Sequence, residues 1–261
     1  VSAIGVFDSG AGGLSIGAAI HAALPGQAIS YFADTAYAPY GTRSDAQILE
    51  RTEICCRRLL EQPIAALVVA CNTATANAID ALRAWAPVPV IGVEPGLKPA
   101  AKASRAGVVG VLATRATLAS RRYRDLLARV QADAPGVRFV EQAGQGWVEL
   151  VETGELDTAH AHTLVRDAVQ PLLDAGADTL VLGCTHYPFL RRAIARVAGR
   201  TQLIETGPAI ARELARRLDG TLACADTRAP GTWQFQTSAD DAGFAALAAR
   251  LLPVLEPDRR A

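Results

Sequence analysis

Val68-Val-Ala-Cys-Asn-Thr73 and Val181-Leu-Gly-Cys-Thr-His186 are two versions of one phrase: a short apolar run, a cysteine, then side chains that hydrogen-bond. Around them, strand-sized apolar runs alternate with longer segments of helical period, the signature of βα units built on a parallel sheet. Strands are predicted at Ile4–Asp8, Ile29–Ala33, Leu67–Cys71 and Val88–Val93, then again at Val108–Ala113, Arg138–Glu141, Thr179–Cys184 and Gln202–Glu205. Helices are predicted over Asp45–Glu61, Thr73–Trp85, Thr117–Ala132, Asp157–Ala175 and Pro208–Leu218.

The two series read as one pattern written twice. Gly5-Val-Phe-Asp-Ser9 is similar to Gly110-Val-Leu-Ala-Thr114, and Ile91-Gly-Val-Glu-Pro-Gly96 to Ile204-Glu-Thr-Gly-Pro208, in the same order as the cysteine phrases. The expected fold is α/β, with two pseudo-symmetric lobes of mainly parallel sheet and an active-site cleft between them. The first lobe takes residues 1–97 plus 208–261 and the second 98–207. A last strand at Gln234–Ser238 and a helix at Gly243–Leu252 have no counterpart in the second series, so they are expected to return to the first lobe. Ligands of open α/β sheets bind beyond the carboxyl ends of the strands, which would place Cys71 and Cys184 on opposite walls of the cleft.

Composition removes several classes of function. The chain has 261 residues, 50% hydrophobic, with 26 basic and 26 acidic side chains, which excludes disorder and gives no electrostatic reason for a nucleic-acid partner. No stretch reaches the ~20 apolar residues of a membrane span, and Val1-Ser-Ala-Ile-Gly-Val-Phe-Asp8 has neither the basic nor the apolar region expected of a secretory signal. Five cysteines, at 55, 56, 71, 184 and 224, form an odd set that fits reduced thiols in the cytoplasm. No metal is expected: Cys-x-x-Cys spacing is missing, and His160 and His162 are two apart on a predicted helix and do not share a face.

A cysteine after an apolar strand is either a small buried hydrophobe or, at a strand-to-helix turn, a thiol biased toward thiolate by the helix N-terminus. Two in matched contexts favour the second. Asp8-Ser-Gly-Ala-Gly-Gly13 closes the first strand with glycines that let backbone approach an anion, but it lacks the Gly-Lys-Ser/Thr of a P-loop and the G-x-G-x-x-G spacing of a dinucleotide fold. Asp8 itself is either a helix cap or a carboxylate placed to orient a thiol or an ammonium.

Together, Phe7-Asp-Ser-Gly-Ala-Gly-Gly-Leu14, Phe32-Ala-Asp-Thr-Ala-Tyr-Ala-Pro-Tyr-Gly41, Ala70-Cys-Asn-Thr-Ala74, Gly92-Val-Glu-Pro-Gly96 and Gly183-Cys-Thr-His-Tyr-Pro188 resemble the glutamate racemases of the aspartate/glutamate racemase superfamily, over essentially the whole chain. The resemblance implies cofactor-independent interconversion of L- and D-glutamate for peptidoglycan precursors. One cysteine removes the α-proton and the other delivers a proton to the opposite face; Cys71 corresponds to the D-glutamate side and Cys184 to the L-glutamate side. Asp8 and His186 correspond to assisting residues. A third, a glutamate, falls on Glu152, with Glu149 as a competitor, because Gly144-Gln-Gly-Trp-Val-Glu-Leu-Val-Glu152 departs from the family's Cys-Pro opening and carries Glu149 in place of a proline. Substrate contacts carry over to Asp8, Ser9, Pro39, Tyr40, Gly41, Asn72, Thr73, Thr114, Thr117, Thr185 and His186. Glutamate is the expected small-molecule partner, and a homodimer is expected. Some family members carry an N-terminal extension tied to activation by a cell-wall precursor; with the first strand near Ile4, none is expected here.

Tyr37 and Tyr40 also read as structural aromatics, Trp147 and Trp233 as packing residues, and Cys55, Cys56 and Cys224 as passive thiols. A pyridoxal-phosphate racemase would need a Schiff-base lysine, and the only lysines are Lys98 and Lys102, neither in a phosphate-cup context. Aspartate or hydantoin racemase are closer rivals; a one-cysteine decarboxylase conflicts with the paired cysteines. A thiol hydrolase would leave the second cysteine unexplained. A gyrase-binding role, reported for some family members, finds no support in a neutral chain.

Overall fold

The computed structural model describes residues 2–218 and 231–255, so Cys224 lies outside the described residues. The chain divides into two units, Val1–Val93 with Gly207–Ala261, and Glu94–Thr206. The first unit opens with β1 (Ala3–Asp8), α1 (Leu14–Ala23), β2 (Ile29–Ala33), α2 (Asp45–Leu60), β3 (Ile64–Val69), α3 (Asn72–Trp85) and β4 (Val90–Gly92). The second holds α4 (Leu97–Ala103), β5 (Val108–Ala113), α5 (Arg115–Ala119), α6 (Arg121–Asp133), β6 (Arg138–Ala143), α7 (Trp147–Thr153), α8 (Ala159–Asp174), β7 (Thr179–Leu182), α9 (Arg191–Ala198) and β8 (Gln202–Ile204). The chain then re-enters the first unit with α10 (Gly207–Leu218), β9 (Trp233–Thr237) and α11 (Asp241–Leu251).

Among the described residues every strand pair is parallel. The sheet of the first unit runs β4-β3-β1-β2-β9, and that of the second, β6-β5-β7-β8. Read from its other edge, the second is β8-β7-β5-β6, the same winding as β4-β3-β1-β2 with β9 left over. The repeated phrases therefore mark equivalent strands: β1 with β5, β3 with β7, β4 with β8. The central strands read as unbroken apolar runs because both faces are covered. Ile4, Val6, Leu67, Val68, Val69, Val109 and Val111 are fully buried, each such side chain stabilising the fold by ~1.5–3 kcal/mol relative to exposure. The edge strand β6 instead exposes Arg138 and Glu141, which blunts it against pairing with another chain.

Strand β9 is sewn in by aromatic side chains. Tyr31 of β2 stacks on Phe244 of α11 at 5.6 Å between ring centroids and meets Phe235 of β9 edge-on at 6.1 Å. Trp233 lies against α1, where a Cβ at Gly17 would sit 2.6 Å from its ring, so the tryptophan packs only because that helix position has no side chain.

Several predicted boundaries move, each for a local reason. The fourth strand starts at Val90 rather than Val88, since Pro89 has no N–H to give the ladder. The helix expected over Thr117–Ala132 is two: Ser120 ends α5 in extended geometry, and its hydroxyl then accepts from the Tyr123 N–H to cap α6. β3 and β7 stop at Val69 and Leu182, two residues before each cysteine.

Candidate active site

The end of β3 shows why Cys71 is not a strand residue. Ala70 N–H still donates to Phe7 O at 2.7 Å, but Thr75 Oγ1 then donates back to Val69 O at 3.1 Å and α3 begins. Cys71 is the N-cap of α3, with Sγ accepting from the Ala74 N–H at 3.4 Å, a position where the helix dipole favours negative charge. The thiol is 6% exposed and lies 3.5 Å from Ser9 Oγ. Ser9 follows the fully buried Asp8, whose Oδ1 accepts from Gly10 N–H at 2.7 Å. The turn is tight enough to require glycine: a Cβ on Gly13 would stand 2.6 Å from Asp8 Cβ and 2.8 Å from the Tyr31 hydroxyl.

Next to the thiol, Asn72 is buried, and neither its side-chain oxygen nor its nitrogen has a hydrogen-bond partner. Burying an amide unsatisfied costs ~1–3 kcal/mol, so the two polar atoms of Asn72 are open to a partner from outside the chain, whether water or ligand. Thr73 is buried beside it. Tyr40, fully buried, belongs to the same core cluster as Cys71; Pro39 and Gly41 flank it and are half-buried.

In the second unit the thiol sits in a different setting. Cys184 follows β7 after Gly183, and a Cβ on Gly183 would press on Leu112 O at 2.9 Å. Its sulfur is 3.7 Å from His186 Nδ1, and His186 Nε2 is 2.7 Å from Glu152 Oε1, so thiol, imidazole and carboxylate form one line. Thr185 and His186 are buried. Burial by itself would lower the imidazole's pKa, but hydrogen bonds to Cys184 and Glu152 outweigh it and hold the pKa well above the usual histidine value. Glu152, not Glu149, is the carboxylate on His186. The departure at Gly144 has a steric reason in this chain: a Cβ there would collide with the Tyr187 hydroxyl, which donates to Gly144 O at 3.3 Å.

Thr114 caps α5 through Oγ1, which accepts from Thr117 N–H at 3.1 Å and donates to Thr117 Oγ1 at 2.9 Å. Trp147 is fully buried, edge-on to Tyr187 at 4.6 Å, with its indole N–H on Leu164 O, a packing residue. Cys55 and Cys56 are buried on α2, and burial pushes the Cys55 thiol up to about 12. Both lysines are exposed. Within each unit the structure thus gathers the predicted residues: Asp8, Ser9, Asn72 and Tyr40 with Cys71; Thr185, His186 and Glu152 with Cys184. Sequence reasoning passed over Asp34 and Arg51, a buried carboxylate and a partly exposed guanidinium that form an ion pair behind Tyr40. The signal available was a carboxylate closing each of two neighbouring strands, Asp8 and Asp34.

A family model described as Asp/Glu/Hydantoin racemase matches residues 14–214, which sets the class. A glutamate racemase from Cupriavidus pinatubonensis is 49% identical over 253 residues, covering 96% of this chain and 92% of the relative. Among solved structures, a glutamate racemase isoform from Bacillus anthracis superposes with a TM-score of 0.85 at 34% identity, covering 97% of this chain and 94% of that one. The Escherichia coli glutamate racemase, solved in complex with L-glutamate and the activator UDP-MurNAc-Ala, gives a TM-score of 0.81 at 34% identity, covering 98% and 94%. The chain belongs to the glutamate racemase family. No helix among the described residues is long and apolar enough to cross a membrane.

Proposed function

We propose that this enzyme interconverts L- and D-glutamate without a cofactor, by a two-base mechanism in which Cys71 and Cys184 serve opposite faces of the α-carbon, supplying D-glutamate for peptidoglycan precursors. The observation that carries the reading is the equivalence of the two thiols: each stands two residues past the third strand of its sheet, in two sheets wound the same way.

The α-proton of an amino acid is a weak carbon acid, and a thiolate is a soft base able to take it if water is excluded and the developing charge is met by polar groups. Cys184 takes it from L-glutamate, with His186, fixed by Glu152, sharing the thiol's proton. Cys71 takes it from D-glutamate, with Asp8 and Ser9 beside it. After abstraction, the opposite thiol delivers its own proton, so each turnover leaves the two sulfurs with exchanged protonation. Two carboxylates and an ammonium on the substrate call for N–H, hydroxyl and amide donors and one carboxylate. Ser9, Asn72, Thr73, Thr114, Thr117 and Thr185, with the backbone N–H groups of Tyr40 and Gly41 beside Pro39, supply the donors, and Asp8 the carboxylate. The unsatisfied Asn72 amide is the group most in need of such a ligand. L-glutamate held by the E. coli relative supports the substrate. Thiols that must stay reduced fit a cytoplasmic enzyme, and a homodimer is part of the same reading, checked by its mass in solution.

The mechanism demands that both sulfurs reach one carbon. In a glutamate-bound crystal structure their separation should be roughly 6–9 Å, two near-attack contacts end to end; more than about 15 Å would end the two-base reading. In solution, glutamate analogues carrying a β-leaving group report each thiol alone, because they eliminate after deprotonation on one face. Cys71→Ser should retain elimination from the L-analogue and lose it from the D-analogue, and Cys184→Ser the reverse. Equal loss for both enantiomers in both variants would mean one catalytic and one structural cysteine.

A further inference from the structure

Behind the segment that carries Tyr40 lies an ion pair, its carboxylate fully buried and its guanidinium partly exposed, with no part in the reaction above. Asp34, fully buried just past β2, accepts from Arg51 Nε at 3.0 Å and Nη2 at 2.8 Å, the parallel fork that a guanidinium offers and an ammonium does not. The Tyr40 hydroxyl donates to the same carboxylate at 2.6 Å. Arg51 also lies over the Tyr37 ring, 3.8 Å from its centroid. The backbone joins in: Asp34 N–H donates to Asp8 O and Tyr37 N–H to Asp34 O, each at 3.0 Å, while Arg43 Nε donates to the Tyr37 carbonyl. One side chain on α2 therefore grips the segment 34–40 at Asp34, at Tyr37 and, through Asp34, at Tyr40. Helix α2 is itself fixed by a reciprocal cap between Ser44 and Gln47, so the grip comes from a rigid element.

Stability is a weak reason for this arrangement: the carboxylate is fully buried, and its desolvation offsets much of what the partly exposed guanidinium returns. What the pair does is specify orientation. An ionised Asp34 accepts the single hydrogen bond that the Tyr40 hydroxyl can donate, which leaves the phenol oxygen able only to accept from any other group. We propose that Arg51 is a positioning residue for the substrate: through Asp34 and Tyr37 it fixes the placement of Pro39-Tyr40-Gly41 and the direction of the Tyr40 hydroxyl. The proposal rests on the functional reading, in which those three residues touch glutamate.

Asp34 is faced by Arg51 and Cys55 from α2, by Tyr37 and Tyr40 from its own segment, and by Ser238 after β9. Burial works to raise its pKa, and Arg51, with Tyr40 and Ser238, more than reverses this. Tyr40 and Cys55 are themselves pushed up, first of all by burial, so both stay protonated beside it. Without Arg51 the carboxyl keeps its burial and loses its counter-ion. Its pKa would then rise, and once protonated it would no longer fix the direction of the Tyr40 hydroxyl.

The test uses the full chain, with racemisation of glutamate followed by circular dichroism across the pH range, and thermal unfolding measured alongside. Arg51→Gln should raise KM by about tenfold or more while kcat stays within about threefold, and KM should gain an inflection absent from the wild type, at a pH above that at which the wild-type Asp34 titrates. The double variant Arg51→Gln with Asp34→Asn removes both charges and should lose that inflection. Arg51→Lys keeps the charge without the fork or the stacking, and should raise KM with the wild-type pH profile; it carries the test if Arg51→Gln does not fold. Wild-type KM and pH profile in a folded Arg51→Gln, or wild-type KM in Arg51→Lys, would overturn the proposal even if the melting temperature falls. A wild-type chain inert toward both enantiomers would instead overturn the functional reading, and this proposal with it.

Discussion

The two units share a winding and differ in what surrounds the thiol. In the first, Cys71 caps a fourteen-residue helix and neighbours a hydroxyl that follows a buried carboxylate. In the second, Cys184 precedes a short turn and is joined to an imidazole and a carboxylate in line. The frame is repeated and the chemistry is not. The reason is that a parallel strand fixes where its carboxyl end points, while the residues just past it are free to vary without disturbing the ladder. The proposed mechanism needs this difference: a deprotonated α-carbon shows its carboxylate, ammonium and side chain in mirror order on its two faces, so the surroundings of the two thiols should not be copies.

The largest effect tests the equivalence itself. Either Cys71→Ser or Cys184→Ser should lower racemisation of both enantiomers by about a thousandfold or more, since a serine hydroxyl is too weak an acid and base at neutral pH. A variant that keeps more than about a tenth of wild-type activity would break the comparison. Next comes the difference between sides. His186→Asn should slow proton abstraction from L-glutamate by about a hundredfold while affecting the D-side less, read as solvent-deuterium incorporation from each enantiomer. The same variant should change how stability responds to alkali. The folded imidazole's pKa is raised, so its stabilisation is full below the unfolded value of 6.5 and is lost as pH rises through the folded pKa. The wild-type urea midpoint should therefore fall across that window, and His186→Asn should flatten the decline.

A smaller effect separates the two glutamates of α7. Glu152→Gln should cost the L-side about tenfold by loosening His186, whereas Glu149→Gln should stay within about twofold. Smallest for the chemistry, though not for the fold, is Gly13→Ala. The new methyl group would meet Asp8 Cβ at 2.6 Å and should lower stability by ~1–3 kcal/mol in urea unfolding, with the Cys71 side of the reaction suffering first.

How much of this was legible before the structure depends on which force set each feature. The strands were legible because their burial on both faces writes itself as runs such as Val108–Ala113 and Ile29–Ala33. The cysteines were legible because they recur at matched positions. The exact ends were not: whether residue 70 or 71 leaves the strand depends on hydrogen bonds among Ala70, Phe7, Thr75 and Ala74, which no local pattern states. Ser120 was hidden likewise, since a serine inside a helical period reads equally as a solvent-facing residue or as a cap. The choice between Glu152 and Glu149 needed the direction of α7, three residues being close to one turn. Arg51 was invisible for a plainer reason: an arginine among the polar positions of an amphipathic helix looks solvated, and only the fold shows the aspartate it meets.

Strand β9 has a consequence of another kind. The first unit is made from two pieces of chain, Val1–Val93 and Gly207–Ala261, while the second is one continuous stretch between them. During synthesis the second unit has all its strands in hand when Ile204 has emerged, yet the outer edge of β2 waits for Trp233 to Thr237. Pairings of such sequence separation close slowly, and until then β2 offers an open parallel edge while Tyr31 lacks the rings of Phe235 and Phe244. The unit begun first is thus the one finished last, and a nascent chain stalled before β9 would expose its stickiest surface to its neighbours.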